Sequence, residues 1–147
     1  PRPVAGLLVF VSLGMPAPTL DVLIGQAERM GARMVMRGLL DRSMRKTVER
    51  VRSLIGTRRV AWTIDPEAFE RFAVTAVPTV VLVDARQPVN LGCDGGQCGL
   101  QGVPAADHYS KLVGDVGLDH AMAQIARDDP VWAGLALAYQ AKLRTVP

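Results

Sequence analysis

Residues Val4 to Ser12 (VAGLLVFVS) form an uncharged apolar run of strand length, with Phe10 and several valines. A strand exposed on one face alternates apolar and polar side chains, whereas a continuously apolar strand needs cover on both faces. This run therefore reads as a central strand between two layers, which points to a layered α/β architecture. Gly14, Pro16 and Pro18 then break the chain. From Thr19 onward Leu20, Leu23, Ile24, Ala27 and Met30 fall into a helical stripe, and Gly31 supplies a stop.

Arg33 to Met36 reads as a second strand, and the resulting β-α-β unit implies a right-handed parallel crossover. A second amphipathic helix follows, with Met44, Val48, Val51 and Ile55 on one face. Arg42, Arg45, Lys46, Glu49, Arg50 and Arg52 occupy the other. A short strand around Val60 to Ile64 precedes Asp65-Pro66, which opens a helix with Asp at the N-cap and Pro at its first position. Thr79 to Val83 (TVVLV) has the strongest β character in the chain. A glycine-rich excursion from Ala85 to Asp107 holds both cysteines, and Tyr109 to Val113 can return as an antiparallel partner. Gly114-Asp115 leads into a helix with Leu118, Ala121, Met122 and Ile125 inward. Asp129-Pro130 starts a last helix carrying Trp132, Leu135, Ala136, Tyr139 and Leu143.

With 147 residues the chain suits one domain, a core over about 4–128 and a helical extension over 129–147. Apolar residues at 49% and charged residues at 21% argue against disorder. A net charge of +3 is too modest to require a polyanionic partner. No apolar run is long enough for a membrane span. No charged segment followed by an apolar one opens the chain at Pro1, so no signal peptide is visible, and a start at Pro suggests a processed chain.

Cys93 and Cys98 are spaced for either a disulfide or a metal clip. A metal would need further ligands, and the histidines, His108 and His120, lie apart from the pair. In an oxidising compartment a structural disulfide is the preferred reading. Its rival is a displaced redox pair, although a glycine-rich loop offers no helix N-terminus to lower a thiol pKa.

The order β-α-β, an inserted helical stretch, then helix, hairpin and helix resembles the thioredoxin arrangement. Phe72 to Thr79 (FAVTAVPT), running into Val80 to Val83, is similar to the thioredoxin stretch whose proline is cis. The resemblance implies a cis Val77-Pro78 bond. Where thioredoxins carry Cys-x-x-Cys, this chain has Ser12-Leu13-Gly14-Met15-Pro16, so no thiolate is available at that place. A narrower resemblance is to the TrbC family of F-type conjugative pilus assembly proteins. Its marks are Val9 to Pro16 (VFVSLGMP), Arg37-Gly38-Leu39, Ile64 to Phe72 (IDPEAFERF) and Gly114 to Ala121 (GDVGLDHA). Gly14, Gly117 and His120 depart from the family's pattern. That resemblance implies a periplasmic protein of a type IV secretion apparatus, needed for pilus assembly, with a TraW-type assembly protein as partner.

The expected fold is thus a thioredoxin-like three-layer sandwich with a helical insertion before the cis proline and an extra C-terminal helix. The expected function is protein contact without turnover, with no cofactor and no metal. Ser12, Leu13, Met15, Pro16, Val77 and Pro78 form the expected partner groove, in which an extended segment could add by main-chain bonds. The alternative is a periplasmic thiol-disulfide oxidoreductase using Cys93 and Cys98. The basic face from Arg42 to Arg52, with Arg58 and Arg59, reads as a solvated face or a docking surface for an acidic protein. Nucleic acid is disfavoured because stacking aromatics are missing. His108 and His120 are placed with no nucleophile by any motif, Trp132, Tyr139 and Leu143 could serve a partner or the core, and the oligomeric state is left open.

Overall fold

Strand β2 (Gly6–Val11) is buried at every position and sits in the middle of a five-stranded mixed sheet. The computed structural model describes residues 2–4, 6–83, 89–94, 97–101, 109–114 and 117–144, with 2–4, 89–94 and 97–101 given by their main chain. The further elements are β1 (Arg2–Val4), α1 (Ala17–Met30), β3 (Arg33–Met36), α2 (Met44–Ile55), β4 (Ala61–Ile64), α3 (Pro66–Arg71), β5 (Thr79–Val83), β6 (Val89–Asp94), β7 (Gln97–Gln101), β8 (Tyr109–Val113), α4 (Gly117–Asp128) and α5 (Ala133–Arg144). The main sheet runs β4-β3-β2-β5-β8, and β1-β6-β7 form a small second sheet. β3 and β4 are parallel to β2, while β5 is antiparallel to it and β8 to β5.

The two faces of β2 see different surroundings. Leu7, Val9 and Val11 pack with the buried stripe of α1, with α4 and with Trp132 and Ala136. Leu8 and Phe10 face the other way, into a smaller aromatic cluster under α3. There the Phe10 and Phe69 rings meet edge to face at 5.0 Å, and Phe72 meets Tyr109 at 5.0 Å. Since both faces are apolar, patterning alone does not set the register of β2. The aromatic pocket that accepts Phe10 does, because offset aromatic contacts add about 0.5–1.5 kcal/mol beyond burial.

Several sequence expectations change. The opening run is divided between β1 and β2, with Ala5 outside the described residues, and β1 pairs with β6 far along the chain. Helix α1 starts at Ala17 rather than Thr19, since Pro18 lies in the first turn, where its missing N–H costs nothing. At its other end Gly31 takes the left-handed conformation, φ 69°, and closes the helix.

Helix α2 buries the face expected of it only in part, through Val51 and the half-buried Ile55. Met44 and Val48 are exposed, and the inward positions are Thr47, fully buried, with Val51 and Leu54. The glycine-rich excursion contains the β6–β7 hairpin, in which Gly92 faces Gly99. The insertion ahead of Pro78 is a helix plus edge strand β4. Asp65 does cap α3, its Oδ1 accepting from the Ala68 N–H at 3.1 Å. Asp129 caps only through its carbonyl, which accepts from Trp132 N–H at 2.9 Å in a short 3-10 turn, and Asp115 lies outside the described residues.

The C-terminal stripe belongs to the core. Trp132 is buried, and Leu135, Tyr139 and Leu143 pack against the larger cluster. Gln140 ties α5 to α4, its Nε2 donating to the Asp119 carbonyl at 3.2 Å.

Candidate functional site

The carboxyl ends of parallel strands β2 and β3 leave a cleft of about 640 Å³ beside α3. Clefts outside the carboxyl ends of strands are the usual binding places of open α/β sheets. Three stretches wall it: the turn after β2 (Ser12, Leu13, Gly14), the loop after β3 (Arg37 to Asp41) and the segment Val74 to Val77.

The first wall is a tight turn. Met15 N–H donates to the Ser12 carbonyl at 3.1 Å, and Gly14 N–H to Ser12 Oγ at 3.1 Å. Met15 turns its sulfur back to within 3.4 Å of Ser12 N and packs toward the large core. Pro16 then begins α1, its carbonyl accepting from Leu20 N–H at 3.1 Å.

The second wall is pinned by Thr47. Its Oγ1 accepts from Leu40 N–H at 2.8 Å and donates to the Ser43 carbonyl at 2.6 Å. Asp41 and Arg42 both hold positive φ, 49° and 55°, which is uncommon for residues other than glycine. Lys46 sits 3.6 Å from Asp41 and offsets its charge, whereas Arg37 makes no ion pair among the described residues.

The third wall is held from both sides. Val74 N–H donates to the Phe69 carbonyl at 2.7 Å, and Lys111 Nζ donates to the carbonyls of Phe72 and Ala73. Thr79 Oγ1 donates to the Ala76 carbonyl at 2.6 Å. The Val77-Pro78 bond is cis. Pro78 is buried, and its carbonyl accepts from Gly114 N–H at 3.0 Å. Between these ties Val77 makes no main-chain hydrogen bond among the described residues, leaving one donor and one acceptor at the cleft.

Of the six expected groove residues, the cleft gathers Ser12, Leu13 and Val77. Met15, Pro16 and Pro78 stand beside or beneath it. Sequence reasoning did not assign to the site Arg37, Gly38 and Leu39, although the Arg-Gly-Leu tag was visible, nor Val74 to Ala76. Among the described residues the lining holds no histidine or cysteine, and its titratable side chains are Arg37 and Asp41. Among the described lining residues none is a histidine placed to activate Ser12. Such a lining suits binding through apolar contacts and main-chain bonds.

The other expected groups lie elsewhere. Cys93 faces Cys98 across the β6–β7 ladder, and their side chains are outside the described residues. His108 is outside them too, and His120 sits exposed on α4. Among the described residues no group of three His, Cys, Asp or Glu stands close enough to hold a metal. No helix among the described residues is long and apolar enough to cross a membrane.

Comparison with known proteins assigns this architecture to a class. Residues 9–125 match the family of type-F conjugative transfer system pilin assembly proteins, TrbC, and the chain belongs to that family. It is similar to the periplasmic protein TrbC of Escherichia coli (strain K12), with 29% identity over 82 residues. That stretch covers 55% of this chain and 39% of the relative, so the match spans about two fifths of the relative's length. No solved structure matches the chain. The matched region contains all three walls of the cleft.

Proposed function

We propose that this chain is a non-catalytic protein-interaction module of a thioredoxin-like fold, acting in the periplasm in assembly of an F-type conjugative pilus. The sheet order with β2 at its centre and Pro78 entering β5 supports that fold. The observation that carries the reading is the occupant of the turn between β2 and α1. Ser12-Leu13-Gly14-Met15 lies where a thioredoxin would present its dithiol, and none of these side chains can exchange disulfides. What remains is a groove in which the Val77 main chain has no partner among the described residues, suited to holding an extended segment.

The occupant proposed is a segment of a TraW-type assembly protein from the same transfer system, with the whole chain acting as one domain. The name of the relative supports the periplasm. The redox alternative is not favoured, because its cysteines stand on the β6–β7 hairpin and not in the turn that opens α1.

Calorimetric titration with the TraW-type protein tests the partner, and hydrogen exchange on the complex tests the site. The expected result is saturable binding at micromolar or tighter affinity with protection of 12–14, 37–41 and 74–77. A folded partner that fails to bind, or protection confined elsewhere, overturns the proposal.

A further inference from the structure

The main sheet ends in two edge strands of opposite character. Edge strands present unpaired N–H and C=O groups that template another strand, and proteins blunt them with charge, proline or cover. β8 is blunted: Lys111 stands at its middle and is tied to the Phe72 and Ala73 carbonyls. β4 is not. Its four residues, Ala-Trp-Thr-Ile, contain no charge, no proline and no glycine, and Ala61 and Ile64 are exposed. β3 pairs with one side of β4, and no described strand pairs with the other.

The crossover that enters this edge is strongly basic, although the Glu28 carboxylate accepts from the Arg59 N–H at 2.6 Å just before β4. α2 is the crossover that leads into β4, and residues 42–59 hold seven Lys or Arg against one acidic residue, Glu49. Arg45, Lys46 and Arg58 are paired with Glu49, Asp41 and Asp21. Arg42, Arg50, Arg52 and Arg59 are exposed and form no ion pair among the described residues. Met44 and Val48 are exposed on α2 among these cations, at 57% and 42%.

We infer that the β4 edge, flanked by the cations of α2 and Arg59, is a second docking surface that accepts an extended acidic polypeptide segment as an added strand. Main-chain bonds to β4 would supply the pairing, and acidic side chains projecting toward α2 the selectivity. A second copy of the chain is the wrong occupant. Pairing β4 with β4 would set one basic α2 beside another, and like charges across an interface oppose association. Nucleic acid lacks the means to pair with a strand edge. This surface is separate from the cleft and stands whether or not the cleft binds its proposed partner.

The test uses the full chain and a short synthetic peptide alternating glutamate with valine. Its lysine counterpart and an acidic version N-methylated at every residue, which has no N–H left to donate to a ladder, serve as controls. Hydrogen exchange is read at 61–64, and affinity by titration at low salt. The acidic peptide is expected to bind and to protect 61–64, with both controls silent. Arg52→Glu with Arg59→Glu, both exposed and outside the core, is expected to weaken binding about tenfold. Three results would overturn the inference: equal binding of the N-methylated peptide, protection confined to the cleft, or protection of 61–64 that rises with protein concentration in the absence of peptide.

Discussion

The hydroxyl of Tyr139 stands 2.6 Å from the point where a Cβ on Gly6 would lie. Gly6 opens the central strand with φ 99°, and Tyr139 belongs to α5, so this contact joins the C-terminal helix to the start of β2. Gly6→Ala meets both a backbone conformation that L-residues avoid and a side chain already in place. The expected loss is about 1–3 kcal/mol, read as a lower urea midpoint. Adding Tyr139→Phe should recover only the part due to the hydroxyl. Full recovery would show that backbone strain contributes nothing.

Burial also raises the Tyr139 phenol above its ordinary value of 10.0. Burial disfavours the phenolate, so the folded protein keeps this proton to higher pH than the unfolded chain. The stability linked to the group is fully present below 10.0 and is lost as pH rises through the raised folded value. Compared with Tyr139→Phe, the parent protein should lose stability over that alkaline window. A difference that stays flat with pH would show the hydroxyl to be freely solvated.

Thr47 is the keystone of the second cleft wall. Thr47→Val keeps the shape but removes the acceptor of Leu40 N–H and the donor to Ser43. A partly buried N–H left unpaired costs about 1–3 kcal/mol. The expected readouts are a matching loss in urea denaturation and faster hydrogen exchange at Leu40. Binding at the cleft should weaken with it, because its wall is no longer held.

Thr47 also shows what the sequence could and could not disclose. The strands β2, β3, β5 and β8, the buried stripes of α1 and α4 and the Asp65 cap were legible because each rests on local periodicity or local bonding. The face of α2 was misread in part because Met44 and Val48 fit the apolar pattern, whereas Thr47 is buried for its bonds to a loop. The β6–β7 hairpin was hidden because Gly92 and Gly99 weaken any strand signal. Three of the six expected groove residues, Ser12, Leu13 and Val77, line the cleft. Arg37 to Asp41 and Val74 to Ala76 join it only through the tertiary placement of β3 and α3.

Arg42 holds φ 55° without being glycine. A left-handed L-residue costs about 1–2 kcal/mol, and the extra freedom of glycine in the unfolded chain offsets part of the relief. Arg42→Gly should therefore raise stability by about 0.5–1 kcal/mol. Arg42→Val, β-branched and poorly suited to positive φ, should lower it by more than that. If both variants denature at the parental midpoint, the loop carries no strain.

Cys93 and Cys98 occupy one rung of the β6–β7 ladder. Opposed Cα atoms in an antiparallel pair lie about 4.5–5.5 Å apart, within the range that a disulfide spans. Thiol titration of unreduced, denatured protein should accordingly find no free thiol. The ring closed is small, so the chain-entropy account allows on the order of 2 kcal/mol, and reduction should lower the urea midpoint by about 1 M. A functional dithiol would behave differently. It would reduce insulin at a rate abolished by Cys93→Ser, and partner binding would depend on its redox state. Equal insulin rates for parent and Cys93→Ser, with partner affinity unchanged by reduction, are the expected results. A cysteine-dependent rate near that of a true oxidoreductase would move the activity from the cleft to the hairpin.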